Sequence, residues 1–431
     1  MSKRILFNLT LLGAPLAVLM VLTQLVAKDP EPKKEPPKAE APATPVKPKP
    51  LSDNVKKGMA YLVNQQHDDG GWGQGGGWRQ AVDKGGRVEG AQVADPSDLG
   101  STSIAVLALV RAGNTSKNGE YAKNVAKGVD FILTRVEKCD KDTLYITDVR
   151  NTQLQSKIGP YVDTFLAQLA MSELKSKMPD EQGEKRLLAC FDKTMAKIAK
   201  HQKADGNFDK NEAWASTLSM ALCSKGINRG AQMGFTVNET VLARDQKANS
   251  VAPTSGTGGA RGTDAGVKIY AEGGRASGLQ EAVNTLKKDE QKNLEIVKRP
   301  DAPKEEKARA QTNLDRLKDA ETANTAAVDG LVRRLDDKQF IQGFGSNGGE
   351  EFLSYMNISE TLLVKGGKEW AAWDKSIGEL LVKVQDKDGG WSGQHCITGR
   401  TFCTATALLT MMADRAPIPV VKTEVKKEEK K

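Results

Sequence analysis

The sequence predicts an all-α protein: an α/α toroid of about six outer/inner helix pairs, preceded by an N-terminal signal anchor. Three observations predict it. A turn motif recurs. Gln66 to Trp72 reads Gln-His-Asp-Asp-Gly-Gly-Trp and Gln385 to Trp391 reads Gln-Asp-Lys-Asp-Gly-Gly-Trp. Gln202 to Phe208 keeps the Gln, the Asp and the first Gly, with Phe in place of Trp. Each copy follows an amphipathic helical pattern. Each also precedes a segment that is apolar on nearly every side, as a helix buried all round must be. A recurring helix–turn–helix unit is the signature of a helical repeat array.

The elements follow in chain order. Lys3 and Arg4 precede an apolar run, Ile5 to Ala27, long enough to span a bilayer. Leu25 spoils a small-residue cleavage site, so the run is expected to stay as an anchor; a cleaved signal peptide is the alternative. Positive charge before the run places the rest of the chain outside the cytoplasm, exported and membrane-anchored, or secreted if cleaved. Residues 28–50 are rich in Pro and Lys and form an extended spacer. The toroid domain is expected over 51–413, and a charged, disordered tail over 414–431.

Within the domain, four amphipathic stripes are clear. They are Val55, Met59, Leu62, Val63; Val125, Val129, Ile132, Leu133, Val136; Leu187, Leu188, Phe191, Met195, Ile198; and Ile377, Leu380, Leu381, Val384. Weaker ones run over Val237, Val241, Leu242 and over Val328, Leu331, Val332, Leu335. Inner helices are expected near 102–112, 162–174, 214–224, 351–364 and 402–413. The remaining partner is either Gly266 to Glu272 or Leu279 to Leu286. An irregular insertion covers about 250–320: a Gly-rich loop, then a charged segment split by Pro300 and Pro303, read as a helical hairpin or as partly disordered.

The turn chemistry is readable. Asp-Gly-Gly supplies positive φ at a helix end. The Gln can bond the turn backbone, and the Trp can lie back on the preceding helix. The net charge of +8 comes partly from lysines in the tail and spacer. No basic helix interleaved with aromatics appears, so no nucleic-acid partner is expected. Of five cysteines, Cys396 and Cys403 are close enough in sequence to pair, while Cys139, Cys190 and Cys223 read as buried thiols. No nucleophile elbow, thioester motif or P-loop is present.

The repeated turns on six helix pairs resemble the squalene/terpene cyclase and protein prenyltransferase superfamily, in particular exported bacterial prenyltransferase/squalene oxidase repeat proteins. The resemblance covers roughly Leu51–Ala413 and speaks to fold more than function. It implies two chemistries that the residues can be held against. A cyclase of this type carries an Asp-x-Asp-Asp-Thr-Ala acid at the start of an inner helix. Here Pro160 to Phe165 retains only Asp163 and Thr164, and Gly100 to Ser103 has no acid. Aromatic residues, which would stabilise a carbocation, make up only 5% of the chain. A prenyltransferase binds zinc through Asp, Cys and His. No Asp-x-Cys occurs, and the His position falls near Thr401.

The expectation is therefore a non-catalytic domain without cofactor. It would bind an apolar, isoprenoid-like ligand or a protein partner at the cell envelope. One alternative is an enzyme acting on an isoprenoid lipid or a polysaccharide, with Asp69, Asp95, Asp98, Glu350 and Glu351 as available acids. Another is a structural scaffold. Paired carboxylates with perturbed pKa would favour the enzyme, and a smooth apolar funnel would favour lipid binding.

Individual candidates each have two readings. Asp163 is an active-site carboxylate, or a helix cap or hydrogen-bonded core group. Asp98 most simply caps the helix beginning near Ser101, and with Trp78, Tyr161 and His395 it is also a binding candidate. Gly75 to Arg79 is a glycine lid or a plain loop. His395, Cys396 and Cys403 are metal ligands, or a loop whose cysteines pair or pack. His67 and His201 sit beside turns as exposed or capping groups.

Overall fold

The computed structural model describes residues 47–78, 87–88, 94–250 and 263–418. The expected anchor, most of the spacer, Arg79, the Gly-rich stretch 251–262 and the end of the tail lie outside them. Among the described residues no helix is long and apolar enough to cross a membrane.

The described chain is all-helical apart from one two-residue strand pair. It runs α1 (Asp53–Asn64), β1 (Gly77–Trp78), antiparallel β2 (Arg87–Val88), α2 (Leu99–Arg111), α3 (Ala122–Lys138) and α4 (Gln153–Lys157). Next come α5 (Val162–Ser172), α6 (Glu181–His201), α7 (Ser216–Gln232), α8 (Glu239–Ser250) and α9 (Lys268–Lys288). The chain continues through α10 (Glu290–Lys298), α11 (Lys304–Val332), α12 (Lys338–Gln342), α13 (Gly349–Lys365), α14 (Gly367–Lys383) and α15 (Arg400–Met411).

Two kinds of helix emerge. Helices α1, α3, α6 and α14 bury a single stripe, as their spacing predicts, although Leu188 faces solvent. By contrast, α2, α5, α7, α9, α13 and α15 are buried over most of their length. Each of these six touches the next in chain order, and α15 touches α2, so the series returns to its start.

The irregular middle is more regular than its composition suggests. Both candidate segments for the missing partner fall on one helix, α9, apart from Gly266 and Val267, which precede it. The charged stretch is not disordered: α10 and α11 pack on each other, and α11 lies on α9, where Leu317 and Ala320 cluster with Val283. Residues at both ends of the domain also meet. Lys49 N–H donates to Asp414 (2.7 Å), and its ammonium pairs with Asp374 (2.6 Å).

The turns explain how the pairs are joined. Gly70, Gly206 and Gly389 hold φ of +85°, +82° and +94°. Each lies against a backbone carbonyl of a neighbouring amphipathic helix, where an added Cβ would fall 2.7–2.8 Å from the oxygen of Lys127, Arg244 or Lys57. Gln66 Nε2 donates to Gly70 O (2.8 Å) and to Asn124 O of α3 (2.9 Å). Gln385 Nε2 does the same with Gly389 O (2.7 Å) and Asn54 O of α1 (3.0 Å). The Trp indoles lie back on the preceding helix, with Trp72 donating to Leu62 O (2.7 Å) and Trp391 to Leu381 O (2.8 Å).

Trp72 packs over Gly128 of α3, and Trp391 over Gly58 of α1. The last turn therefore docks on the first helix as the first turn docks on α3. A Cβ at residue 58 would stand 2.7 Å from the Trp391 ring. Gly58→Ala is expected to cost about 1–3 kcal/mol by overpacking, despite the better helix propensity of Ala. Chemical denaturation of the two proteins measures it.

Candidate functional site

The amino ends of the buried helices gather acids. Asp98 N–H bonds Trp72 O (2.9 Å), so the first Trp turn sets its position. Its Oδ1 caps α2 by accepting from Ser101 N–H (2.7 Å). Asp163 stands in the first turn of α5 but is not its cap; that place belongs to Tyr161, which makes no side-chain cap bond. Asp163 Oδ2 instead accepts from Gln155 Nε2 (2.6 Å). Gln155 is held by its capping box with Thr152 at the start of α4.

The two carboxyls face the same glycine. A Cβ on Gly100 would lie 2.6 Å from Asp163 Oδ1 and 3.5 Å from Asp98 Oδ1. Both residues are buried, at 3% and 2% exposure, and Asp98 Oδ2 and Asp163 Oδ1 have no hydrogen-bond partner. Burial, followed by the charge of Asp163, raises the Asp98 pKa to about 8 against its bonds to Ser101. Burial raises Asp163 to about 6, opposed by the Gln155 bond and by Arg150. Two buried carboxyls side by side disfavour double ionisation, so the pair holds a proton at neutral pH.

A second group lies at the start of α13. Glu351 accepts from Phe344 N–H (3.1 Å), Gly348 N–H (2.9 Å) and the Tyr270 hydroxyl. Glu350 Oε2 accepts from Ile397 N–H (3.2 Å). Burial, then the neighbouring Glu351 charge, lifts Glu350 to about 7. His395 Nε2 lies 2.6 Å from Ser346 O and 3.3 Å from Glu351 Oε2. Burial opposes its charge, but hydrogen bonds with Cys396 and Glu351 outweigh it and push the imidazole up to about 11. Ligand atoms of Glu350, Glu351 and His395 lie within 4.8 Å of one another, close enough to hold a cation. The Glu351 oxygens already accept three hydrogen bonds and face His395, contacts that a metal would have to displace.

Gln153 ties α4 to the loop before α2 and to the connection before α15. Its N–H donates to Gln74 Oε1 (2.8 Å) and its Nε2 to Cys396 O (2.8 Å) and Thr398 Oγ1 (2.9 Å). Its Oε1 accepts from Gly399 N–H (2.9 Å).

The other candidates fall as follows. His395 is grouped with Glu350 and Glu351 and also hydrogen-bonds Cys396, whereas Cys403 is not part of the group. Neither cysteine forms a disulfide, so of the two readings the cysteines pack rather than pair; Cys403 is buried in α15 with Sγ toward Ile397 O (3.5 Å). Cys190 and Cys223 are buried thiols, and Cys139 is half-exposed. Asp95 accepts from Gln74, Gly75 and Gly76 N–H (2.7, 2.9 and 3.1 Å), so it folds the glycine loop. Asp69 serves its own turn through Gly71 N–H (3.0 Å). His67 bonds Ser97 (2.9 Å) and His201 bonds Asp142 O (2.7 Å), both roles local to turns. Tyr161 is half-buried beside Tyr145 and donates to Asp209 O (3.1 Å). Trp78 lies on β1, and its side chain is outside the described residues.

Sequence reasoning missed a third buried polar cluster, formed by the carboxyl-terminal halves of the same helices. Arg111 bonds Glu173 bidentately (2.9 and 2.6 Å) and also reaches Glu360. Arg229 bonds Glu173 (2.7 Å), Glu360 (3.2 Å) and Glu281. Lys225 bonds Glu360 and lies 3.9 Å from Glu281. Three cations thus meet three carboxylates, all buried. Burial opposes ionisation of Glu360, but Arg111, Lys225 and Arg229 hold it well below the usual carboxylate range. The signal was available: a charged residue on a helix apolar all round must find a partner.

Compared with known proteins, the chain matches no family model, no curated protein and no solved structure.

The carboxyl pair predicts a pH signature. A carboxyl whose folded pKa is raised contributes stability that is complete below its unfolded pKa and lost as pH rises through the folded value. For Asp98 that window runs from about 4 to about 8. Wild type is expected to lose about 1–3 kcal/mol more than Asp98→Asn between pH 5 and pH 9. Urea midpoints at the two pH values check this.

Proposed function

We propose that the returning series of buried helices is an α/α toroid of the cyclase/prenyltransferase-repeat type, held outside the cytoplasm by its N-terminal segment. Its functional end is the one where the amino ends of the buried helices meet. There Asp98 and Asp163 form an acid–base centre, which makes the enzyme reading better supported than the non-catalytic one. The observation that carries it is the pair of buried carboxyls across Gly100, each with an unpartnered oxygen. The companion acid that the Asp163 segment lacks in its own motif comes from another helix. Asp98, protonated near neutral pH, is the general acid, and ionised Asp163 is the proton acceptor.

A polar substrate is favoured over an isoprenoid, because both side-chain polar atoms of Gln168 and the Nδ2 of Asn357 are buried on α5 and α13 without partners. An infrared or carbon-13 titration of aspartate carboxyls in the full-length protein tests the proposal without needing a substrate. One carboxyl of the pair should remain protonated at pH 7, and its signal should vanish in Asp98→Asn. Finding both ionised at pH 6 would sink the reading. Placement is tested by protease added outside intact spheroplasts, which should release the folded domain by cutting within residues 28–46; cleavage only after lysis would refute export.

A further inference from the structure

One cavity lies apart from the acids. It opens between α9 and the last turns of α11 and holds about 370 Å³. Its cause is in the sequence of α11. Helices α1, α3, α6 and α14 close on their buried neighbours mostly with large apolar side chains. Here α11 offers Ala326, Ala327 and Gly330, with only Leu331 of any size, beside Ala271 of α9. Small side chains leave a gap that larger ones would fill. Arg275, Arg333 and Arg334 also line it, with one acid, Glu272. Glu272 already pairs with Arg334 (2.6 Å), Asp337 lies 3.8 Å from the same arginine, and Asp329 lies 3.9 Å from Lys365. Among the described residues no carboxylate forms an ion pair with Arg275 or Arg333. Arg275 is half-buried, and its one hydrogen bond is long, from Nε to Asn249 O (3.5 Å). By contrast, Arg111, Lys225, Arg229 and Arg400 on other buried helices all meet carboxylates. Burial works against the charge of Arg275, and no carboxylate offsets it. A half-buried guanidinium without a counter-charge, beside an open cavity, calls for an anion.

We propose that the cavity between α9 and α11 binds a small amphiphilic anion, a carboxylate or phosphate ester with a short apolar tail, its oxyanion held by Arg275 and Arg333. A guanidinium presents a planar fork of donors that matches two oxygens of either acid group. The alanines and Leu331 give the tail an apolar surface. A neutral ligand, whether hydrocarbon or sugar, would leave Arg275 without its counter-charge. A metal cation would meet two unpaired guanidinium groups. A protein partner covers about 800 Å² of surface in a stable complex, whereas small-molecule sites begin at about 300 Å³, and this cavity is of the second kind. Neither Asp98 nor Asp163 lines it, so the inference stands apart from the acid–base reading.

The test uses full-length protein and isothermal titration calorimetry, with hexanoate, hexyl phosphate, hexanol and inorganic phosphate as probes. At least one of the two anionic amphiphiles should bind saturably, at least about tenfold more tightly than hexanol or inorganic phosphate. The tighter of the two identifies the oxyanion. Arg275→Met keeps an apolar stem and removes the charge. It should weaken that binding about tenfold or more, the usual loss of a charge-assisted hydrogen bond. Its melting temperature without ligand should not fall, because a half-buried charge without a counter-charge is removed. Gly330→Leu is the second variant. An added Cβ there has only Arg333 Nη2 near it, at 3.9 Å, so the side chain enters the cavity and should abolish binding in a folded protein. The proposal is overturned if neither amphiphile binds, or if wild type, Arg275→Met and Gly330→Leu bind alike. It is overturned equally if hexanol binds as tightly as the anions, if inorganic phosphate does so and marks an adventitious ion only, or if the protein binds phosphatidate vesicles but no soluble anion. The carboxyl titration of Asp98 and Asp163 is unaffected by any of these results, so the two sites stand or fall separately.

Discussion

Glu360→Gln is expected to lower the unfolding free energy by about 3–5 kcal/mol, the usual loss when one member of a buried ion network is removed. Glu360 is 3% exposed and bonds Arg111, Lys225 and Arg229, which come from α2 and α7. The amide keeps the shape and removes the charge, leaving three cations against Glu173 and Glu281. All six side chains are buried, so the loss reflects an uncompensated buried charge more than a missing contact. The double variant Arg111→Met/Glu360→Met restores the balance, with Lys225 and Arg229 facing Glu173 and Glu281. It should recover at least half of the lost stability. Equal denaturation midpoints for wild type and Glu360→Gln would show that the cluster is hydrated and contributes little. A double variant no better than Glu360→Gln would show that geometry rather than charge balance matters.

Trp391→Ala should cost about 3–5 kcal/mol, the range for deleting a fully buried large aromatic. Trp391 is 0% exposed, and its indole N–H bonds Leu381 O across the turn. Its ring also fills the place over Gly58 that joins the last helix pair to α1. Trp72→Ala removes the corresponding ring over Gly128 and should cost a similar amount. The two differ in what they loosen. Trp72 joins neighbours in sequence, whereas Trp391 joins the two ends of the domain. Trp391→Ala should therefore also speed hydrogen exchange in α1 and in the Lys49–Asp414 contact. Calorimetry with exchange mass spectrometry separates the two. An unchanged melting temperature in Trp391→Ala would mean that the turn is not structural.

Much of the fold could be read from the sequence because it depends on local patterns. Three-to-four spacing marked the stripes of α1, α3, α6 and α14, and all-round apolarity marked α2, α5, α7, α13 and α15. The Gln and Trp roles at the turns follow from side-chain chemistry at a fixed offset. The middle was harder for physical reasons. α9 carries glycines and polar residues along a buried helix, so its two halves look like separate fragments. α10 and α11 are charged and lack a strong stripe, yet α11 is held by a few apolar residues on α9.

The site divides in the same way. The sequence by itself determined the helical repeat, the turn chemistry and which acids and histidines exist. It also determined that Asp163 lacks companions in its own segment, because composition, periodicity and motif spacing are properties of consecutive residues. Only the tertiary structure decided which groups meet. It set Asp98 against Asp163 across Gly100, brought His395 to Glu350 and Glu351, and assembled six charges from α2, α7, α9, α13 and the end of α5. A pKa depends on burial and on neighbouring charge, and both are set by residues far apart in the chain that packing brings within a few ångströms.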